Sequence, residues 1–261
     1  MRIKELINKL EEIFPKKNAE NWDNVGLLIG DLEEELKGVV VTLDVNEESI
    51  EDAVEKGANL IITHHPVIFN GIKSVNLNEP IGKKIAKIIK NGINVYCMHT
   101  NIDSTVGGLN DYIVKKLQVE NSKILSLNLD KINGIGRYYK LETPVTIEAY
   151  SKFVKNKLDL DEMRLYAKNK NKECKKIAFV NGSGAEFWKK AKFYNCDLLI
   201  TGDAKYHTIY DAVESGMAIL DIGHYESEKE FMNLMEEVLK NIDIDIEVYK
   251  NYCKELQAMI Y

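Results

Sequence analysis

Cysteine is sparse in this sequence: Cys97, Cys174, Cys196 and Cys253 lie far apart and form no CxxC pair. That spacing offers neither a thiolate zinc site nor a disulfide framework, and it fits a reducing compartment. Only four prolines occur, while 45% of residues are hydrophobic and 29% charged, the profile of a compact folded protein and not of a disordered or fibrous one. Long apolar runs are missing. None approaches the roughly 18 residues that would span a bilayer, and MRIKELINKL lacks the uninterrupted apolar segment of a secretion signal, so a mature cytoplasmic chain without membrane contact is expected. A basic excess is absent too. The 35 Lys and Arg against 41 Asp and Glu give a net charge of -6, which argues against a general nucleic-acid coat but leaves local basic patches open. Histidine is limited to five, yet two stand side by side in LIITHHP at 60–66.

What is present is an alternation of short patterns. Ile3, Leu6, Ile7, Leu10 and Ile13 fall at helical spacing, and Pro15 closes that first helix. LLIG and GVVVTLDV read as strands, SIEDAVEKG as a helix stopped by Gly57, NLIIT as a strand, IGKKIAKIIKNG as a helix up to Gly92, and INVYCM as a strand. Such alternation implies a mostly parallel sheet with helices on its faces. The segment from about Asn121 to Lys176 differs: GRYYKL and MRLYA read as strands flanking the helix TIEAYSKFVKNKL, and KNKNKECKK reads as a polar loop at a junction. From Ile177 the rhythm resumes through IAFV, the turn NGSG, the helix AEFWKKAKF, the strand DLLIT, a helix through TIYDAVESG, the strand MAILDI, a final helix and DIEVY.

The two halves match each other. LIITHH at 60–65 corresponds to LLITGD at 198–203, and NGINVYCMHT at 91–100 to SGMAILDIGH at 215–224, at the same points of a β-α-β-α-β order. The expected fold is therefore α/β, with two similar lobes of mostly parallel sheets facing each other across a cleft. Residues 1–125, carrying His64, His65 and Asp103, form the expected first lobe; residues 126–261, carrying His224 and Glu228, form the second.

In parallel α/β sheets, ligands collect beyond the carboxyl ends of the strands. His64 and His65 follow NLIIT, His99 and Asp103 follow INVYC, Asp203 and His207 follow DLLIT, and His224 and Glu228 follow MAILDI. Any one of these taken alone is as well read as a hydrogen-bonded turn or core residue. Their convergence favours a metal, and a mixed imidazole and carboxylate set without thiolates suits a catalytic Zn, Fe, Mn or Co. Successive side chains diverge in an extended segment, so His64 and His65 are better placed to serve two neighbouring ions than to chelate one. Two cations about 3.5 to 4 Å apart need a bridging group, for which Asp103 and Glu228 are candidates. GHYESE at 223–228 admits two readings: a helix starting near His224, which sets His224 and Glu228 on one face, or a capping box of Ser227 and Glu230 with His224 in the preceding turn.

THHP, the HTNID run at 99–103, GHYESE and the early WDNVGL resemble the signatures of the NIF-three-like family, whose members carry the name GTP cyclohydrolase 1 type 2 homologue. The resemblance covers nearly the whole chain, with four motifs in order, and it lacks the long insertion of some bacterial relatives. It implies two α/β lobes with a dinuclear metal site between them, two divalent cations per subunit, and a ring-like homohexamer. Carried over by residue, it makes His64, His65, Asp103, His224 and Glu228 the ligands and His99 a group that supports them or faces substrate.

Two functions follow. In the first, a metal-dependent hydrolase acts on a nucleotide-like or phosphate-containing small molecule, with proton transfer falling to His99, Asp203 or His207 because the bridging carboxylates are occupied. The turn Gly182, Ser183, Gly184 offers backbone amides for a phosphate, but so short a glycine motif is better read as a plain tight turn. In the second, a non-catalytic oligomeric scaffold binds nucleic acid through Arg164, Lys168, Lys170, Lys172, Lys175 and Lys176 and through Lys83, Lys84, Lys87 and Lys90.

Overall fold

A computed structural model of the chain describes residues 1–242 and 246–252; Cys253 lies outside them. The first helix, α1 (Ile3–Ile13), buries Ile3, Leu6, Ile7 and Leu10 of the stripe its spacing predicts, while Ile13 at its last turn is exposed. Then come β1 (Gly26–Ile29), β2 (Val39–Thr42), α2 (Glu47–Glu55), β3 (Leu60–Thr63), α3 (Pro80–Lys90), β4 (Asn94–Cys97) and the short α4 (Thr100–Ser104). Asn46 caps α2, its Oδ1 accepting from the Ser49 amide at 2.8 Å. β2, β3 and β4 lie parallel, with Thr42 opposite Thr63 and Thr63 opposite Cys97, while β1 runs antiparallel to β4. The three parallel strands are buried along their whole length, which is why they are continuous apolar runs and do not alternate.

The chain continues through α5 (Leu109–Lys116), β5 (Lys123–Leu127), β6 (Gly134–Thr146), α6 (Ile147–Lys157), β7 (Arg164–Tyr166) and β8 (Glu173–Phe179). It then forms α7 (Trp188–Phe193), β9 (Leu198–Thr201), α8 (Tyr206–Glu214), β10 (Ala218–Asp221) and α9 (His224–Glu228). The six strands order as β5-β6-β8-β9-β10-β7. Only β8-β9-β10 are parallel; β5, β6 and β7 pair antiparallel, so the second sheet is mixed where a mostly parallel one is expected. β8 starts at Glu173, inside the run read as a polar loop, because Cys174 turns into the core and pairs with Val145 of the long β6.

Finally α10 (Phe231–Asn241) and β11 (Val248–Asn251) return to the first sheet, where β11 runs parallel to β2 and completes the order β1-β4-β3-β2-β11. Two compact units result: residues 1–102 together with the segment from Phe231 on, and Asp103–Glu230. That division differs from a single cut at 125/126. Phe231, Met232, Leu234, Met235 and Leu239 bury the inner face of α10, which packs on β2 and β11 and so ties the last helix to the first unit. Each unit repeats one plan, an antiparallel edge strand followed by three parallel strands, in spatial order β1-β4-β3-β2 and β7-β10-β9-β8. Among the described residues, no helix is long and apolar enough to cross a membrane.

Candidate metal centre

In the first unit the ladder between β2 and β3 runs on past Thr63: the His64 amide donates to the Thr42 carbonyl at 3.1 Å and the His65 amide to the Leu43 carbonyl at 2.8 Å. The Thr63 hydroxyl adds a bond to the Leu43 carbonyl at 2.8 Å. The backbone of both histidines is thereby fixed. His64 is buried, its Nδ1 2.8 Å from the Met98 carbonyl and its ring 5.0 Å from that of Phe231. A carbonyl only accepts, so Nδ1 carries the proton and Nε2 is the basic nitrogen. His65 sets its Nδ1 3.0 Å from Asp44 Oδ1, and His99 sets its Nδ1 2.8 Å from Asp23 Oδ1.

The three rings meet. Their centroids are 5.2 Å apart for His64 and His65, 5.2 Å for His64 and His99, and 5.7 Å for His65 and His99. One nitrogen of each lies within 4.8 Å of the others. The expectation that adjacent imidazoles diverge is not met, because the chain bends at His64 and His65 on leaving β3 and the alternation of an extended strand no longer applies. Burial alone would raise the Asp23 pKa, but hydrogen bonds from His99 and Thr100 and the charge of His99 outweigh it and draw the carboxyl down to about 2. Asp23 is therefore a firm acceptor for the proton on His99.

In the second unit, α9 begins at His224, so the first reading of GHYESE is the observed one. His224 Nε2 lies 3.0 Å from Glu228 Oε2, one turn on, and its Nδ1 lies 2.7 Å from Asp203 Oδ2. Ser227 does not cap a helix; its Oγ accepts the Gly182 amide at 2.8 Å and donates to the His224 carbonyl at 2.7 Å. Asp103, on α4, and Glu228 are both buried. One amide bridges them: Asn181 Nδ2 donates to Asp103 Oδ1 at 2.8 Å and to Glu228 Oε1 at 3.2 Å. Asn110 Nδ2 in turn donates to Asn181 Oδ1 at 2.6 Å, which fixes the orientation of that amide. Two buried carboxylates brought together on a shared amide are stabilised by a cation between them. Gly182 is required here, since at φ +58 a Cβ would stand 2.3 Å from Glu228 Oε1.

Other candidates are placed elsewhere. His207 is exposed on α8 against the Tyr206 ring. Asp203 orients His224, accepting its Nδ1 proton and a longer 3.3 Å bond from Ser183. The Gly182 and Gly184 amides are taken by Ser227 and by Thr201 Oγ1, so the glycine loop is a tight turn and not a phosphate cradle. In the lysine run, Lys168 pairs with Glu214, Lys170 with Glu148 and Lys172 with Asp197, while Lys87 pairs with Glu47 and Glu51. Sequence reasoning missed Asp23, Asp44, Asn110 and Asn181. Asp23 sits inside the WDNVGL motif, and Asn181 opens the glycine turn; Asp44 and Asn110 carry no comparable signal.

Similarity to known proteins extends over nearly the whole chain. A model of the family described as Duf34/NIF3 (NGG1p interacting factor 3) matches residues 1–254. A GTP cyclohydrolase 1 type 2 homologue of Clostridium perfringens is 41% identical over 249 residues, covering 95% of this chain and 95% of that protein. Among solved structures, a Staphylococcus aureus hypothetical protein superposes with a TM-score of 0.89 at 30% identity, over 99% of both chains. Reduced HcgD from Methanocaldococcus jannaschii superposes with a TM-score of 0.84 at 28% identity, over 96% of this chain and 97% of that one. The chain belongs to the Duf34/NIF3 family.

Proposed function

We propose that the protein is a metal-dependent hydrolase that holds two divalent cations with His64, His65, Asp103, His224 and Glu228 and acts on a nucleotide-like or phosphate-containing substrate. One observation carries the metal: each of the three ligand histidines, His64, His65 and His224, sets Nδ1 against an acceptor, namely the Met98 carbonyl, Asp44 and Asp203, which makes Nε2 the ligand nitrogen. Metal-binding imidazoles are oriented in this way as a rule. The donor set fits Zn, Fe, Mn or Co, with imidazoles, two buried carboxylates and no thiolate.

Divalent cations held there would lower the pKa of a water and polarise the bond under attack. The chain's own residues supply the proton traffic. His99, held at Nδ1 by Asp23, keeps Nε2 to take up or deliver a proton, whereas Asp203 serves to orient His224 and His207 stands apart. The names of the relatives favour a nucleotide, and the family resemblance favours a ring-like homohexamer, which a native mass measurement checks. The scaffold reading has less support, since Lys168, Lys170, Lys172 and Lys87, four of the basic residues it calls on, are paired with acids. The test is product release from a panel of nucleotides and phosphoesters by protein loaded with manganese, iron, cobalt or zinc. Turnover lost in His64→Ala supports the hydrolase; a panel untouched by any loaded form would sink it.

A further inference from the structure

Beside the histidine cluster of the first unit stands an aromatic pair that the proposed chemistry does not use. Trp22 is 60% exposed and Phe69 is 48% exposed, with ring centroids 5.9 Å apart. Single exposed aromatics are ordinary, but these two are held in place. The Trp22 ring meets His99 edge-on at 6.2 Å. Its neighbours are pinned: the Glu20 amide donates to Thr100 Oγ1 at 2.9 Å, the Asp23 amide donates to the Glu20 carbonyl at 3.0 Å, and the buried Asp23 carboxylate accepts from His99 Nδ1 and from the Thr100 amide. Asn24 Nδ2 donates to the Ile68 carbonyl at 2.6 Å, and that bond seats the next residue, Phe69, against Trp22. Val67 and Ile68 are themselves packed on the core of the first sheet. The indole is thus rigid, open to solvent and continuous with the imidazoles.

We propose that Trp22 and Phe69 form the subsite for a planar heteroaromatic ring, such as a nucleobase, on the molecule acted on at the histidine cluster. A fixed indole offers a π face for stacking at little entropic cost, and such stacking tolerates any base. The proposal rests on the hydrolase reading for its placement of substrate, but its test does not depend on turnover. Chelator-treated protein is dialysed to equilibrium against guanosine monophosphate and, separately, ribose phosphate, for the wild type and for Trp22→Leu, Trp22→Phe and His64→Ala. The expected result is saturable binding of guanosine monophosphate by the wild type, roughly five- to 150-fold weaker in Trp22→Leu. Trp22→Phe binds it nearly as the wild type does, His64→Ala keeps saturable binding, and ribose phosphate binds weakly to all four. If His64→Ala abolishes metal binding and activity while the nucleotide still binds, the two proposals are separated and the subsite stands. Equal affinity in Trp22→Leu overturns the subsite. So does a smaller native mass for Trp22→Leu, which would assign the aromatic pair to contact between copies of the chain.

Discussion

Each clustered imidazole is fixed by what its far nitrogen touches, and the strength of the site is decided residue by residue. Asp44 is half-exposed and adds little to stability as an ion pair, yet it sets which nitrogen of His65 carries the proton. Asp44→Ala should weaken divalent-cation affinity by about 10- to 100-fold, measured by competition with a chelator, while the melting temperature of the metal-free protein barely moves. Asp23 behaves differently because its side chain is fully buried. Its pKa falls from 3.8 to about 2 on folding, so its stabilisation is complete above pH 4 and is lost as pH falls from about 4 to about 2. Asp23→Asn should cost about 2 kcal/mol near neutral pH and flatten the acid limb of the unfolding curve, read by denaturant titration at several pH values with chelator present. Gly182→Ala is expected to lower both stability and cation affinity, since the added methyl meets Glu228 in a left-handed backbone.

At the scale of elements, the strand ends did most of the work of placing chemistry. NLIIT, INVYC, DLLIT and MAILDI each became a buried parallel strand, because an unbroken apolar run of four or five residues can hide both faces only in the middle of a sheet. The residues beyond them were therefore legible. The short helices α4 and α9, each of five residues, carry a buried acid apiece, Asp103 and Glu228. What could not be read was the amide between those acids. Asn181 follows β8 with no periodicity to mark it, and its role arises only when three segments distant in sequence meet. Removing it leaves two buried carboxylates without their shared donor. Asn181→Ala should destabilise the metal-free protein by about 1 to 3 kcal/mol, and saturating manganese should restore part of that loss in a thermal melt. A melt that manganese leaves unchanged would contradict the view that those carboxylates await a cation.

For the whole molecule, the likeness of LIITHH to LLITGD became a shared topology, an antiparallel edge strand and three parallel strands in each unit. The resemblance to one family, carried by THHP, HTNID, GHYESE and WDNVGL, became membership over residues 1–254. The division of the chain was less legible: a return of the last helix to the first sheet leaves no local mark, since its apolar face fits either sheet until the pairing of β11 with β2 is known. The mixed character of the second sheet was hidden for a similar reason, as β5 and β7 are short or partly exposed edge strands with weak alternation.

The central claim is that imidazoles and carboxylates from distant parts of the chain act as one cation-binding set. Elemental analysis of the purified protein beside His65→Ala and Glu228→Ala tests it most directly. About two tightly held divalent cations per wild-type chain, with a clear loss in both variants, is the predicted result. A wild-type protein that retains no transition metal after growth with ample manganese, iron and zinc, or variants that retain as much as it does, would contradict the account.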